Sequence, residues 1–426
     1  MRILASAYAC EPGAGSELGK GWNIACEMAR QGHDVTVLTC GSHHRAAIER
    51  YEREYGLPSR LNFVWHDIPG WPGPGYANAR RIRQHYYLWQ MTARKLVAGL
   101  HAETPFDVIH HLTWTVLRWP SFLGGLGPRF IFGPVGGGQS TPWRLRRGFP
   151  VRGWKFELKR DFANMLSRID PMVFRCLAQA DAILVTDEAT RAYVPAWWRG
   201  KTFVTGDIYA PPIMSERAVS ARVHSSTLDI LFAGRLEYWK GAQLALGAIA
   251  HLRRQVPDVS FTIAGTGPDE SHLRTVAGKL GIADIVRFAG NVPHARMGQL
   301  YSEHDIFLFP SLHDSAATVI GEALAHGLPV VCLDLGGSGV AVDESCGVVI
   351  ASRARSQSAV EQDLADALAG ISSDADRLAA LRKGACLRAG QSSYQRHVRQ
   401  RIERFYPPSV IAPECIETAC NHRVSL

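Results

Sequence analysis

The sequence contains no run of about eighteen consecutive apolar residues, so no membrane-spanning helix is expected. Cysteine is sparse. Its nine copies are odd in number, scattered and never in a Cys-x-x-Cys pair, which excludes a zinc-site or disulfide framework and fits a reducing compartment. A large excess of one charge is also missing: 47 Lys plus Arg against 39 Asp plus Glu leaves +8, a balance that only favours anionic partners. No basic and aromatic motif of nucleic-acid spacing accompanies it, so nucleic acid is not an expected partner. Internal repeats and a collagen-like period are absent too.

What remains is a chain of 426 residues, 46% hydrophobic and 20% charged, with 40 Gly and 23 Pro for turns. That is long and apolar enough for two medium globular domains. Ile3 to Cys10 has the length of a signal-peptide core, but only Arg2 separates it from Met1, and Glu11-Pro12-Gly13 follows at once. It reads as a first strand.

Arg2 to Ala9 (strand), Ser16 to Arg30 (helix) and Asp34 to Cys40 (strand) form a βαβ unit whose short turn at Gly32 suits a parallel sheet. Further strands are expected at 61–65, 108–112, 130–132, 182–185 and 202–205. The pattern lapses between Ala210 and Thr227, which is read as a linker. Strands at 228–233, 259–264, 286–288, 306–309 and 329–333 then alternate with helices in a second α/β unit. The fold class is therefore α/β, with two Rossmann-like domains facing an interdomain cleft: 1–208, 209–390, a charged terminal helix over 391–406, and a disordered tail over 407–426. A ligand belongs at the carboxyl ends of the strands.

Candidate chemistry clusters at those ends. Phe309 leads through Pro310 and Ser311 to Asp314, then seven residues to Glu322, placing two carboxylates around a loop and helix start that can hold sugar hydroxyls or phosphate oxygens. Glu322 can accept both donors of a ribose diol. After the strand 228–233, Gly234 and Gly241 bracket Arg235 and Lys240, where a diphosphate would meet two positive charges. Gly265 and Gly267 follow the next strand; a strand-to-helix turn and the edge of a nucleotide site both account for them. Gly13 and Gly15, in the loop after the first strand, allow a phosphate or sugar to approach backbone N–H groups, although the loop lacks the third glycine of a dehydrogenase fingerprint. Asp107 to Thr113 ends a strand with His110 and His111 on opposite faces, so one of them can face the cleft. The loop Gly133 to Gln139 lines the acceptor side or forms a tight bend. Gly70 to Val97, with Trp71, Tyr76, Tyr86, Tyr87, Trp89, Arg80, Arg81 and Arg83, reads either as an amphipathic helix near a membrane or as a core helix with a solvated basic side. Arg144 to Arg160 adds further positive charge.

Three blocks, F-A-G-R-L-E-Y-W-K-G (232–241), F-T-I-A-G-T-G-P-D (261–269) and P-S-L-H-D-S-A-A-T-V-I-G-E-A-L-A-H-G-L-P-V-V (310–331), resemble the retaining glycosyltransferases of family 4. The resemblance covers Met1 to about Tyr406. It implies the GT-B fold, with the terminal helix crossing back to the amino-terminal domain. It implies that Arg235 and Lys240 bind the donor diphosphate, that Glu322 binds the ribose, and that Asp314 with Ser315, Ala316, Ala317 and Thr318 binds the donor sugar. It also implies that His110 or His111 contacts that sugar near the reacting carbon. The family pattern has glutamate where this chain has Asp314. The implied activity is transfer of a sugar, with retention, from a UDP- or GDP-sugar to a carbohydrate or lipid-linked acceptor, with no metal and no other cofactor. The implied setting is bacterial polysaccharide or glycolipid assembly in the cytoplasm, at the inner face of an anionic membrane. A non-catalytic sugar-nucleotide-binding subunit and a nucleotide-sugar epimerase or hydrolase are the alternatives.

Overall fold

The computed structural model describes residues 1–71, 79–211 and 227–406. Tyr76, the side chain of Arg80, most of the expected linker and the expected tail over 407–426 lie outside the described residues.

Seven parallel strands form the first sheet: β1 (Arg2–Ser6), β2 (Asp34–Cys40), β3 (Leu61–His66), β4 (Val108–His111), β5 (Arg129–Val135), β6 (Ala182–Val185) and β7 (Thr202–Val204). Their order is β3-β2-β1-β4-β5-β6-β7. Six more form the second: β8 (Leu228–Ala233), β9 (Val259–Ala264), β10 (Val286–Gly290), β11 (Ile306–Phe309), β12 (Val330–Leu333) and β13 (Gly347–Ile350), ordered β10-β9-β8-β11-β12-β13. The expected strand set lacks β13, a short run with half-buried Val and Ile that carries little periodic signal. In each sheet the order reverses beside the first strand, between β1 and β4 and between β8 and β11. Those reversals open a crevice at the carboxyl ends of the strands.

The strands are near-continuous apolar runs because helices cover both faces of each sheet. Ile3, Ala25, Val35, Val108 and Ile131 fill one side of the first sheet, and Leu4, Tyr86, Trp89 and Phe132 the other. Ile230, Phe261, Phe307 and Val331 centre the second core. The Ala79–Glu103 helix turns part of its aromatic side inward, as the core-packing alternative expects: Tyr86 and Trp89 are fully buried, while Leu88 and Met91 stay exposed.

The terminal Tyr394–Phe405 helix, capped by Ser393, crosses to the first sheet. Val398, Phe405 and Tyr406 join the core that contains Ile3 and Val108, and Gln31 donates to the Gln395 carbonyl at 3.0 Å. Arg129 Nε donates to the Phe405 carbonyl at 2.6 Å. No described helix is long and apolar enough to cross a membrane.

Candidate functional site

Segments at the carboxyl ends of β8, β9, β10 and β11 meet. Gly234 and Arg235, Gly265 to Gly267, Val319 and Glu322 line one cavity of about 530 Å³, together with Asn291 and Met297. The approach of the first two loops requires glycine at 265. Its φ is +136°, and a Cβ there would stand 2.0 Å from the Gly234 carbonyl oxygen. Glu322 projects from the Thr318–Ala325 helix and accepts a hydrogen bond from the Tyr301 hydroxyl at 2.9 Å. Burial, reinforced by Glu322, raises the Tyr301 pKa, so the phenol stays a donor.

Each expected cation meets a carboxylate. The Lys240 ammonium is ion-paired with Asp314 and lies 5.5 Å from the centre of the Phe309 ring. Arg235, 72% exposed, places Nε 3.1 Å from Glu237, whose other oxygen accepts from Arg152 at 2.8 Å. Asp314 in turn accepts from the Ala316 N–H at 3.4 Å, drawing the loop over itself. Ser315, Ala316, Ala317 and Thr318 continue this loop into the helix that carries Glu322.

The first domain touches the same loop. Gln139 Nε2 donates to Ser315 Oγ at 2.8 Å, and its amide is also bonded to Asp187, the residue that caps the Glu188–Tyr193 helix. Gly136 makes room for this contact, because a Cβ would fall 2.3 Å from Ser315 Oγ. Beside it, Glu157 is fully buried. It accepts from the Tyr238 hydroxyl at 3.2 Å, faces His313 Nε2 at 3.0 Å, and has Arg146 at 3.6 Å. Burial alone would raise its pKa, but His313, Arg160 and Arg146 draw it down to about 2, so it is ionised. Residues flanking Asp314 and Lys240 are thus bound to the opposite domain.

The two strand histidines lie elsewhere. His110 is fully buried, donating from Nε2 to the Gly133 carbonyl at 2.7 Å and accepting at Nδ1 from the Tyr406 hydroxyl at 2.7 Å. His111 is fully buried on the other face, with Nε2 3.2 Å from the Tyr86 hydroxyl and its ring 5.4 Å from Phe132. Burial lowers both pKa values to about 3, leaving neutral rings. Neither lines the cavity beside Glu322. Gly13 and Gly15 stand at the exposed start of the Ser16–Arg30 helix with open space around them.

Sequence reasoning overlooked Gln139 as a cross-domain donor, Glu157 with His313, and Tyr301 behind Glu322. Asn291 was open to discovery, since it directly follows β10 at a carboxyl strand end. The others pair across long stretches of chain and leave no local signal. Among the described residues no group of three His, Cys, Asp or Glu side chains is placed to hold a metal ion.

Comparison with known proteins matches residues 22–205 to the glycosyl transferase 4-like domain and residues 218–385 to the glycosyl transferases group 1 domain. A glycogen synthase of Mycobacterium tuberculosis is 36% identical over 121 residues, 28% of this chain and 29% of that protein. A D-inositol 3-phosphate glycosyltransferase of Corynebacterium aurimucosum is 31% identical over 225 residues, 49% of this chain and 51% of the relative. The matches therefore span from under a third to about half the length of these relatives. A sucrose-phosphate synthase from Thermosynechococcus elongatus shares the fold with a TM-score of 0.61 at 16% identity, over 94% of this chain and 97% of that one.

Proposed function

The chain belongs to the GT-B glycosyltransferases, with a 4-like amino-terminal domain and a group 1 carboxyl-terminal domain, and from that premise we propose that it transfers a sugar from a nucleotide diphosphate sugar to an acceptor hydroxyl with retention of configuration. The observation that carries this reading is that one cavity, of about 530 Å³, gathers Gly234, Arg235, Gly265, Gly267 and Glu322. In it, Glu322 accepts the ribose diol with its orientation set by Tyr301. Arg235 and Lys240 meet the diphosphate and offset the charge that develops as it leaves. Asp314 and the loop to Thr318 receive the donor sugar. The leaving phosphate takes the acceptor proton on the face it vacates, so no protein nucleophile is required. His110 acts through position: its bond to Gly133 fixes the loop that carries Gln139 against Ser315. The acceptor is a carbohydrate or a lipid-linked saccharide, entering beside Gly13 and Gly15.

Purified protein with UDP-, GDP- and ADP-sugars tests the reading. One nucleotide should raise the melting temperature by binding the folded state, and its sugar should appear on an acceptor with its anomeric configuration unchanged. Inversion of that configuration would refute retention. A second reading, a donor-binding subunit without turnover, draws on the Lys240–Asp314 pair, which leaves the cation occupied. Tight nucleotide binding with neither transfer nor donor hydrolysis would select it.

A further inference from the structure

The Val151–Ser167 helix is built inside out. Its buried stripe is Gly153, Glu157, Asn164 and Ser167, while Leu158, Phe162, Met165 and, in the turn beyond, Ile169 repeat on the opposite face at helical spacing. Phe162 is 57% exposed, Met165 58% and Ile169 76%. Trp154 packs against the second core, and polar bonds fix the rest of the helix to the body. Glu157 meets Tyr238 and His313, Asn164 accepts from Arg118, and the Ser167 hydroxyl lies 3.0 Å from that of Tyr193. A helix that turns its large apolar side chains to water while burying an ionised carboxylate has an outer face shaped for an apolar phase.

The charges around that face identify the phase. Lys155 and Lys159 are exposed within the helix, with Arg147 before it and Arg168 after it. The two acidic residues in the span are already paired: Glu157 is buried, and Asp161, half-buried, accepts from Arg146 at 2.8 Å and from Ser140 at 3.0 Å. Apolar side chains flanked by lysines and arginines, with both acids of the span held by partners within the fold, match a bilayer interface. Acyl chains receive the apolar face, and the long cationic side chains reach anionic headgroups. Phe156 extends the surface into an apolar groove of about 930 Å³ lined by Trp71, Tyr87, Leu88 and Trp119.

We propose that the outer face of the Val151–Ser167 helix, with Ile169, is a docking surface for an anionic lipid bilayer. The docking itself is independent of the transferase reading. Its link to a lipid-linked acceptor rests on that reading. The inner edge of the same helix grips Tyr238 and His313, neighbours of Lys240 and Asp314, so a docked helix brings the donor loops toward the membrane plane.

Co-sedimentation of the full chain with vesicles tests this. Vesicles of phosphatidylcholine containing about a third phosphatidylglycerol should retain the protein, pure phosphatidylcholine should retain far less, and added salt should release it. Phe162→Glu with Met165→Glu should lower retention by at least about tenfold at an unchanged melting temperature, since both side chains are exposed. Lys155→Glu with Lys159→Glu should weaken it on anionic vesicles alone. Absence of retention, or retention equal in the Phe162/Met165 variant, would overturn the proposal. So would a concentration-dependent dimer that this variant abolishes without any vesicle binding, because the occupant would then be a second copy. A protein that binds vesicles but no nucleotide would sink the transferase reading and support the docking face.

Discussion

The ammonium of Lys240 is ion-paired with the carboxylate of Asp314, joining the loop after β8 to the loop after β11. The two side chains are only 19% and 14% exposed, so the pair is shielded from the screening that weakens surface ion pairs. In the proposed reaction the same cation meets a diphosphate. The pair therefore holds the positive charge in place, neutralised by the group that the family pattern makes one methylene longer.

Lys240→Ala is expected to lower kcat/KM for the donor by about a hundredfold to a thousandfold, roughly 3–4 kcal/mol of transition-state stabilisation. Arg235→Ala should cost less, because the Arg235 side chain is 72% exposed and solvent competes for it. Steady-state kinetics with the matched donor check both. Unchanged turnover in the Lys240 variant would remove the diphosphate grip from the mechanism.

Gly265→Ala should abolish nucleotide-induced thermal stabilisation and lower the melting temperature of the free protein. The new Cβ would collide with the Gly234 carbonyl oxygen at 2.0 Å, and φ of +136° strains any side chain. Such backbone strain costs about 1–3 kcal/mol before the clash is counted. A variant with wild-type melting and nucleotide response would show that the two loops need not approach this closely.

The fold was legible because its strands are short apolar runs separated by glycine and helical periodicity, and the candidate loops after β8, β9 and β11 because their glycines and charges lie within a few residues of one another. Contacts between distant residues were not legible. The Tyr406 hydroxyl that reaches His110 and the Gln139 amide that reaches Ser315 are created by folding alone. The reversed helix at 151–167 exposes a deeper limit. Periodicity reveals that a helix has two faces, yet only tertiary structure reveals that Glu157 turns inward and Phe162 outward.

Tyr301→Phe removes the 2.9 Å hydrogen bond that orients Glu322 and should weaken nucleotide affinity by about five- to tenfold, in keeping with roughly 1 kcal/mol for such a bond, with kcat nearly unchanged. Glu322→Gln should go further and erase the preference for a ribonucleotide over its 2′-deoxy analogue. Isothermal titration with the two nucleotides measures both effects. Persistent discrimination in the Glu322 variant would place the ribose elsewhere.

Acid should destabilise this protein earlier than its carboxylates alone require. Burial lowers the pKa values of His110 and His111 from the ordinary 6.5 to about 3, and those of His44 and His85 to about 4. Between those limits the unfolded chain binds protons that the native rings refuse, so stability is complete above about pH 6.5 and falls as pH drops toward the folded-state values. Each histidine contributes up to roughly 1.4 kcal/mol per pH unit within the window. Glu157, whose folded pKa is about 2 against an ordinary 4.5, adds its own loss only at lower pH, as its carboxylate begins to protonate in the unfolded chain. The interval from pH 6.5 down to about 5 therefore reports the histidines. Denaturant titrations at pH 7.5, 6.5, 5.5 and 5.0 should show a steepening loss below 6.5, and His111→Asn should remove one histidine's share of the slope. Stability that stays flat across this interval would mean that the rings at the end of β4 accept protons in the folded state.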